Sequence, residues 1–191
     1  MGEPDWHVDD SLWGHASGWA QLPGMQHNVS CVVLGLADPT GLAEVFDSLS
    51  DALTEAGYPW EVLMIDIGAS PPLSRLLSAW CGRPGFRRVA LPSDTPAAAT
   101  LSTGLKRARG DAVLLTTARS AVLVPSIPEM VSQWSEGLEV VRARWVDPLG
   151  AHTPAAGGAK TAEAGNSLSQ LLEEGAILLD RQAVNLLLGG Q

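Results

Sequence analysis

The strongest constraint on this chain is a change of hydrophobic period that repeats along it. From residue 29 to residue 142, short apolar, β-branched runs alternate with segments whose apolar residues recur every three or four positions. Val29–Leu34 reads as a buried strand. In residues 40–56, Leu42, Val45, Phe46, Leu49, Leu53 and Ala56 share one helical face, and Gly57 is a helix stop. The pattern then predicts a strand over Glu61–Ile65, a helix over Pro71–Trp80, a strand over Phe86–Leu91 and a helix over Ala97–Ala108. A strand over Asp111–Thr116, a helix over Ile127–Glu136 and a strand over Leu138–Arg142 complete it.

Strands alternating with helices at this spacing imply βαβ units and an α/β domain with a central, mainly parallel sheet flanked by helices. Ligands of such sheets bind beyond the carboxyl ends of the strands. The stretches that matter are therefore 35–38, 66–70, 91–96, which includes Asp94, and 116–121.

The flanks read differently. Residues 1–28 form an arm carrying Trp6, Trp13 and Trp19, set off from a single domain at 29–191. The tryptophans either pack on their own domain or serve a protein partner or second copy, since Trp is favoured at interface hot spots. His7, Asp9, Asp10 and His15 make a metal site only on paper, lacking a fixed scaffold. Residues 148–166 are rich in Gly, Ala and Pro and read as a mobile loop, and residues 168–188 are apolar at helical spacing, predicting one or two closing helices.

Composition narrows the function classes. With 191 residues, 46% apolar and 17% charged, the chain suits one globular domain. Its net charge of −9 argues against nucleic-acid binding and against an anionic membrane surface. Its two cysteines, Cys31 and Cys81, form no disulfide framework, which predicts a reduced, cytoplasmic chain. Glu3, Asp5, Asp9 and Asp10 do not suit a signal peptide, and no apolar run approaches membrane-span length. The sequence has no G-x-S-x-G, P-loop, H-E-x-x-H or G-x-G-x-x-G motif.

Three pieces in order carry a resemblance: Ala108–Asp111 (ARGD), Ile127–Met130 (IPEM) and Glu136–Val141 (EGLEVV). With the strand and helix spacing, residues 29–145 resemble family 2 glycosyltransferases, the GT-A-type enzymes of the dolichyl-phosphate mannose synthase kind. Leu178–Arg181 (LLDR) is similar to the family's element before its last helix. The resemblance implies a GT-A-like nucleotide-diphospho-sugar transferase fold and a nucleotide or nucleotide sugar as ligand.

The family's functional motifs are altered. Leu34–Asp38 stands where the family has P-x-Y-N-E, keeping only an acidic residue. Asp66–Ala69 stands for D-D-G-S, keeping one carboxylate. Thr117–Arg119 stands for D-A-D. The family offsets the diphosphate charge with magnesium or manganese held by carboxylate oxygens. Thr117 and Arg119 cannot hold that cation, so no cofactor is expected. The resemblance leaves Asp38, Asp66, Gly68, Asp94 and Arg119 as nucleotide-binding candidates. Arg119 reads either as a guanidinium that grips diphosphate without metal or as a surface charge. Arg142 and Arg144 are too distant in sequence to make a convergent basic set with it. Glu173 and Glu174 lie roughly where the family has acidic residues near the acceptor, and also read as an exposed helix pair.

The altered motifs around a retained scaffold predict a glycosyltransferase-like protein without metal-dependent catalysis, acting as a binding or regulatory subunit in polysaccharide or glycolipid synthesis. An active metal-independent transferase and a structural oligomer are the alternatives.

Overall fold

The computed structural model describes residues 28–144, 155–158 and 175–189. Nine of its elements follow the predicted alternation: β1 (Val29–Leu34), α1 (Leu42–Glu55), β2 (Trp60–Ile67), α2 (Pro71–Cys81), β3 (Phe86–Leu91), α3 (Ala97–Arg107), β4 (Ala112–Thr117), α4 (Ile127–Ser135) and β5 (Val140–Arg144). Between β4 and α4 the chain winds through a 3-10 segment, Ala118–Ser126.

Two expectations are corrected. The apolar stretch read as closing helices contains a strand, β7 (Gly175–Asp180), and only then a helix, α5 (Arg181–Gly189). Ile177, Leu178 and Leu179 are buried on both faces of the sheet, so they read as continuously apolar, and period alone cannot separate such a strand from a buried helix. Within the stretch read as a mobile loop, Ala155–Gly158 is a strand, β6. The rest of that stretch, the arm at 1–27, Glu173 and Glu174 lie outside the described residues.

The sheet runs β3-β2-β1-β4-β7-β5-β6. β3, β2, β1 and β4 are parallel, as predicted. β7 enters antiparallel between β4 and β5, and β6 pairs antiparallel with β5, so the far half of the sheet is mixed.

Alternate residues of each strand feed two cores. Cys31, Val33, Val62, Met64 and Leu114 join Phe46, Leu49, Leu77, Met130 and Trp134 on one face, under α1, α2 and α4. Val32, Leu63, Ile65, Val113 and Leu115 join Leu105 and Val184 on the other, under α3 and α5. Each such aliphatic side chain contributes about 1.5–3 kcal/mol when fully buried. The apolar residues of α1 that face the sheet (Leu42, Phe46, Leu49 and Leu53) lie four, three and four apart. The helix is followed by Gly57 at φ 80°, a left-handed position that suits glycine. Pro71 and Pro72 open α2, where no intrahelical N–H bond is lost. Phe46, Trp80 and Phe86 make an aromatic cluster beneath these helices, with ring centroids 4.8–5.9 Å apart.

Candidate functional site

In the parallel half, β1, β2, β3 and β4 end on the same edge of the sheet. Strand order reverses between β1 and β4, because β2 and β3 lie to one side of β1 and β4 to the other. A ligand crevice is expected at such a reversal. Leu34 pairs with Thr117 across it. The topology therefore brings Asp38, Asp66, Gly68, Asp94 and the backbone of Arg119 to one edge, Asp66 from the end of β2 and the others from the segments that follow β1 to β4.

Their states differ. Asp38 is exposed, and its Oδ1 accepts the Thr40 amide at 2.9 Å. That bond, supported by the Thr40 side chain, lowers the Asp38 pKa below the usual carboxylate range. Asp94 is exposed in the loop after β3. Gly68 has φ 63°, and a Cβ there would stand 2.7 Å from Ser93 Cβ, so the loops after β2 and β3 meet through glycine. The side chain of Arg119 lies outside the described residues.

Asp66 is the informative one. It is 2% exposed, and both its oxygens are engaged. Oδ1 accepts the Ala69 amide at 2.8 Å, which shapes the turn after β2. Oδ2 accepts Arg88 Nε at 2.8 Å and also Arg88 Nη2. Arg88 further donates to Ser74 Oγ at 3.0 Å and Ser78 Oγ at 3.3 Å on α2. Asp66 therefore ties β2, β3 and α2 together. Arg88 gave no sign of this in the sequence beyond being a charge inside a strand.

The family's divalent cation needs a set of carboxylate oxygens. After β4 this edge offers Thr117 and Ala118, and the Asp66 oxygens already carry three donors. Among the described residues, no group of three or more His, Cys, Asp or Glu side chains gathers where it could hold a metal ion.

The opposite edge holds a polar network that sequence reasoning missed. The A-R-G-D segment is the turn from α3 into β4. Glu61 Oε1 accepts the Arg109 amide at 2.8 Å and Ser30 Oγ at 2.6 Å. Ser30 Oγ in turn accepts the Gly110 amide at 2.7 Å. Glu61 Oε2 pairs with Arg87 Nη2 at 2.8 Å, with both side chains about one-tenth exposed at 9% and 11%. From the other side, Arg181 Nε donates to the Gly110 carbonyl at 2.9 Å and its Nη2 to the Ala108 carbonyl at 2.9 Å. Asp111 Oδ2 accepts the Asn28 amide at 2.9 Å. A charged residue inside an otherwise apolar strand, Glu61, was the available clue, since buried charges are paired.

No protein-family model matches the chain, and no curated protein matches it. Solved structures do. Rv0371C of Mycobacterium tuberculosis H37Rv, determined in complex with manganese, matches with a TM-score of 0.50 at 14% identity, over 85% of this chain and 75% of that one. A nucleotidyl transferase from Methanothermobacter matches with a TM-score of 0.48 at 17% identity, over 86% of this chain and 76% of that one. S. aureus TarS 1-349 in complex with UDP-GlcNAc matches with a TM-score of 0.46 at 14% identity, over 68% of this chain and 37% of that one. The chain spans 16% to 38% of the TarS chains it matches. At these identities the likeness is one of fold. The fold is α/β: a central sheet flanked by helices, parallel in its first half. Among the described residues, no helix is long and apolar enough to cross a membrane.

Proposed function

We propose that this chain is a degenerate glycosyltransferase-like domain of the family 2 type that has lost metal-dependent catalysis and acts as a binding or regulatory subunit in polysaccharide or glycolipid synthesis. The observation that carries this reading is the state of Asp66. The one carboxylate kept from the D-D-G-S position is buried against Arg88 and the Ala69 amide instead of facing a ligand. The Thr117–Arg119 sequence supports the same reading, because it offers no carboxylate where the family binds its cation. Residues 1–28 are read as an arm, with Trp6, Trp13 and Trp19 as anchors for a protein partner or second copy. No cofactor belongs to this reading. A nucleotide or nucleotide sugar remains the proposed ligand class, taken at the carboxyl edge of β1 to β4, where α/β sheets bind.

The test is thermal unfolding with uridine and guanosine diphosphates and their sugars, each with and without magnesium or manganese. The expected result is no stabilisation that depends on metal. A metal-dependent ligand at about one hundred times its Kd would add about 2.7 kcal/mol, roughly 5–10 °C for a domain of this size. Sugar transfer that is lost on Asp66→Ala would overturn the reading. Metal-free protection abolished by Arg119→Ala would replace it with an active, metal-independent transferase.

A further inference from the structure

Asp66 stands at the penultimate position of β2, on the edge where this fold takes ligands. A carboxylate presents about four lone-pair positions. Three are filled from within the chain, two on Oδ2 by Arg88 and one on Oδ1 by Ala69. The origin of the arginine is informative. The residue paired directly with Asp66 on β3 is Ala90, which is small and exposed. Arg88, which pairs with Met64, reaches forward along the strand to the carboxylate. Its side chain is 25% exposed whereas that of Asp66 is 3% exposed, so the pair meets solvent through the arginine. Ser74 and Ser78 hold that guanidinium on its α2 side.

We propose that Arg88 is an internal occupant of a nucleoside-recognition carboxylate. Its guanidinium takes the Oδ2 positions that a ribose hydroxyl or a base imide N–H would otherwise use, so a nucleotide at this edge binds without that carboxylate oxygen and more weakly. The proposal rests on the functional reading that a nucleotide is taken at the carboxyl edge of β1 to β4, with Asp66 among the candidate contacts. The ligand class is a nucleoside with a hydroxyl or imide donor, because only a donor can replace the arginine on a carboxylate. Arg88 acts here by exclusion.

The experiment is calorimetric titration of uridine diphosphate and guanosine diphosphate, without metal, into the full chain and three variants: Arg88→Gln, Arg88→Lys, and Arg88→Gln combined with Asp66→Asn. One new hydrogen bond to a charged acceptor corresponds to a gain of roughly tenfold or more in affinity. Arg88→Gln is expected to show that gain for at least one of the two nucleotides. Arg88→Lys, which keeps the charge but not the two-nitrogen grip, is expected to show a smaller one, and the double variant is expected to lose it. A folded Arg88→Gln protein with unchanged affinity overturns the proposal, as does a gain that survives Asp66→Asn. Loss of folding in both Arg88→Gln and Arg88→Lys also overturns it, because the pair is then a strut alone. These outcomes are separable from failure of the functional reading, which shows as metal-dependent nucleotide binding or sugar transfer by the unaltered chain.

Discussion

Glu61 and Arg181 hold one turn from opposite sides. The glutamate accepts from the Arg109 amide, while the arginine donates to the Ala108 and Gly110 carbonyls. Residues 120 positions apart in the chain thereby fix the entry of β4, with Glu61 on β2 and Arg181 opening α5. The backbone groups of a buried turn need partners, and this turn finds them in side chains from two distant elements.

Breaking either side should destabilise the fold, and the two losses should interact. Glu61→Ala leaves Arg87, the Ser30 hydroxyl and the Arg109 amide without their carboxylate, and removal of one partner of a buried pair costs about 3–5 kcal/mol. Arg181→Ala leaves two carbonyls unsatisfied at about 1–3 kcal/mol. Because both act on residues 108–110, the double variant should depart from additivity by about 0.5 kcal/mol or more. Urea unfolding of the two single variants and the double variant measures this, and strict additivity would show that the two grips are independent.

Gly110 should tolerate no side chain. A Cβ there would lie 2.6 Å from the Ser30 amide nitrogen, 2.7 Å from the Asn28 carbonyl oxygen and 2.9 Å from the Ala112 carbonyl oxygen. All three are backbone atoms and cannot swing aside, so Gly110→Ala should cost about 1–3 kcal/mol. Gly189 in α5 is the control. A Cβ there meets nothing within 4 Å, and Gly189→Ala should stay within about 0.5 kcal/mol of the unaltered protein. Paired chemical denaturation curves decide the comparison.

The two thiols should react at very different rates. Burial pushes the Cys31 thiol from 9.0 up to about 12, so its reactive thiolate is scarce at any ordinary pH. Cys81 is half-buried and also raised by burial, with an opposing pull from the backbone and charge of Arg88. A thiol reagent at pH 8 should modify Cys81 first and Cys31 only as fast as the protein opens. The same shift has a sign for stability. Between pH 9.0 and about 12 the unfolded chain has lost the Cys31 proton and the native chain keeps it. The unfolded state then binds fewer protons, so Cys31 makes stability fall as pH rises through that window and leaves it unaffected below. Cys31→Ser should flatten that part of the pH profile.

The parallel half of the fold was legible because each strand is bounded by Gly or Pro and followed by a helix of clear period. Predicted and observed limits of α2, β3 and α3 agree to within one residue. The far half was harder. β7 has no polar face to mark it as a strand, and β6 is a stretch of Ala and Gly that gains its identity from pairing with β5. At the candidate site, the sequence put Asp38, Asp66, Gly68 and Asp94 at the carboxyl edge of the strands, where the structure has them, because strand ends follow from strand positions. It did not disclose that Asp66 is engaged, because its partner Arg88 comes from a different strand and reaches it diagonally. Glu61 and Arg181 were missed for the same reason: what they bind is far away in the chain.

The position of β7 also has a consequence in time. This strand is made after β5 yet lies between β4 and β5. While the chain emerges from the ribosome, β4 and the β5–β6 pair each present an edge that nothing upstream can fill. Both edges wait until residues 175–180 arrive, and a nascent or truncated chain that stops short of them exposes two ready templates for pairing with other chains. Among the described strands, β7 is the last to be made, and closure of the sheet waits for it.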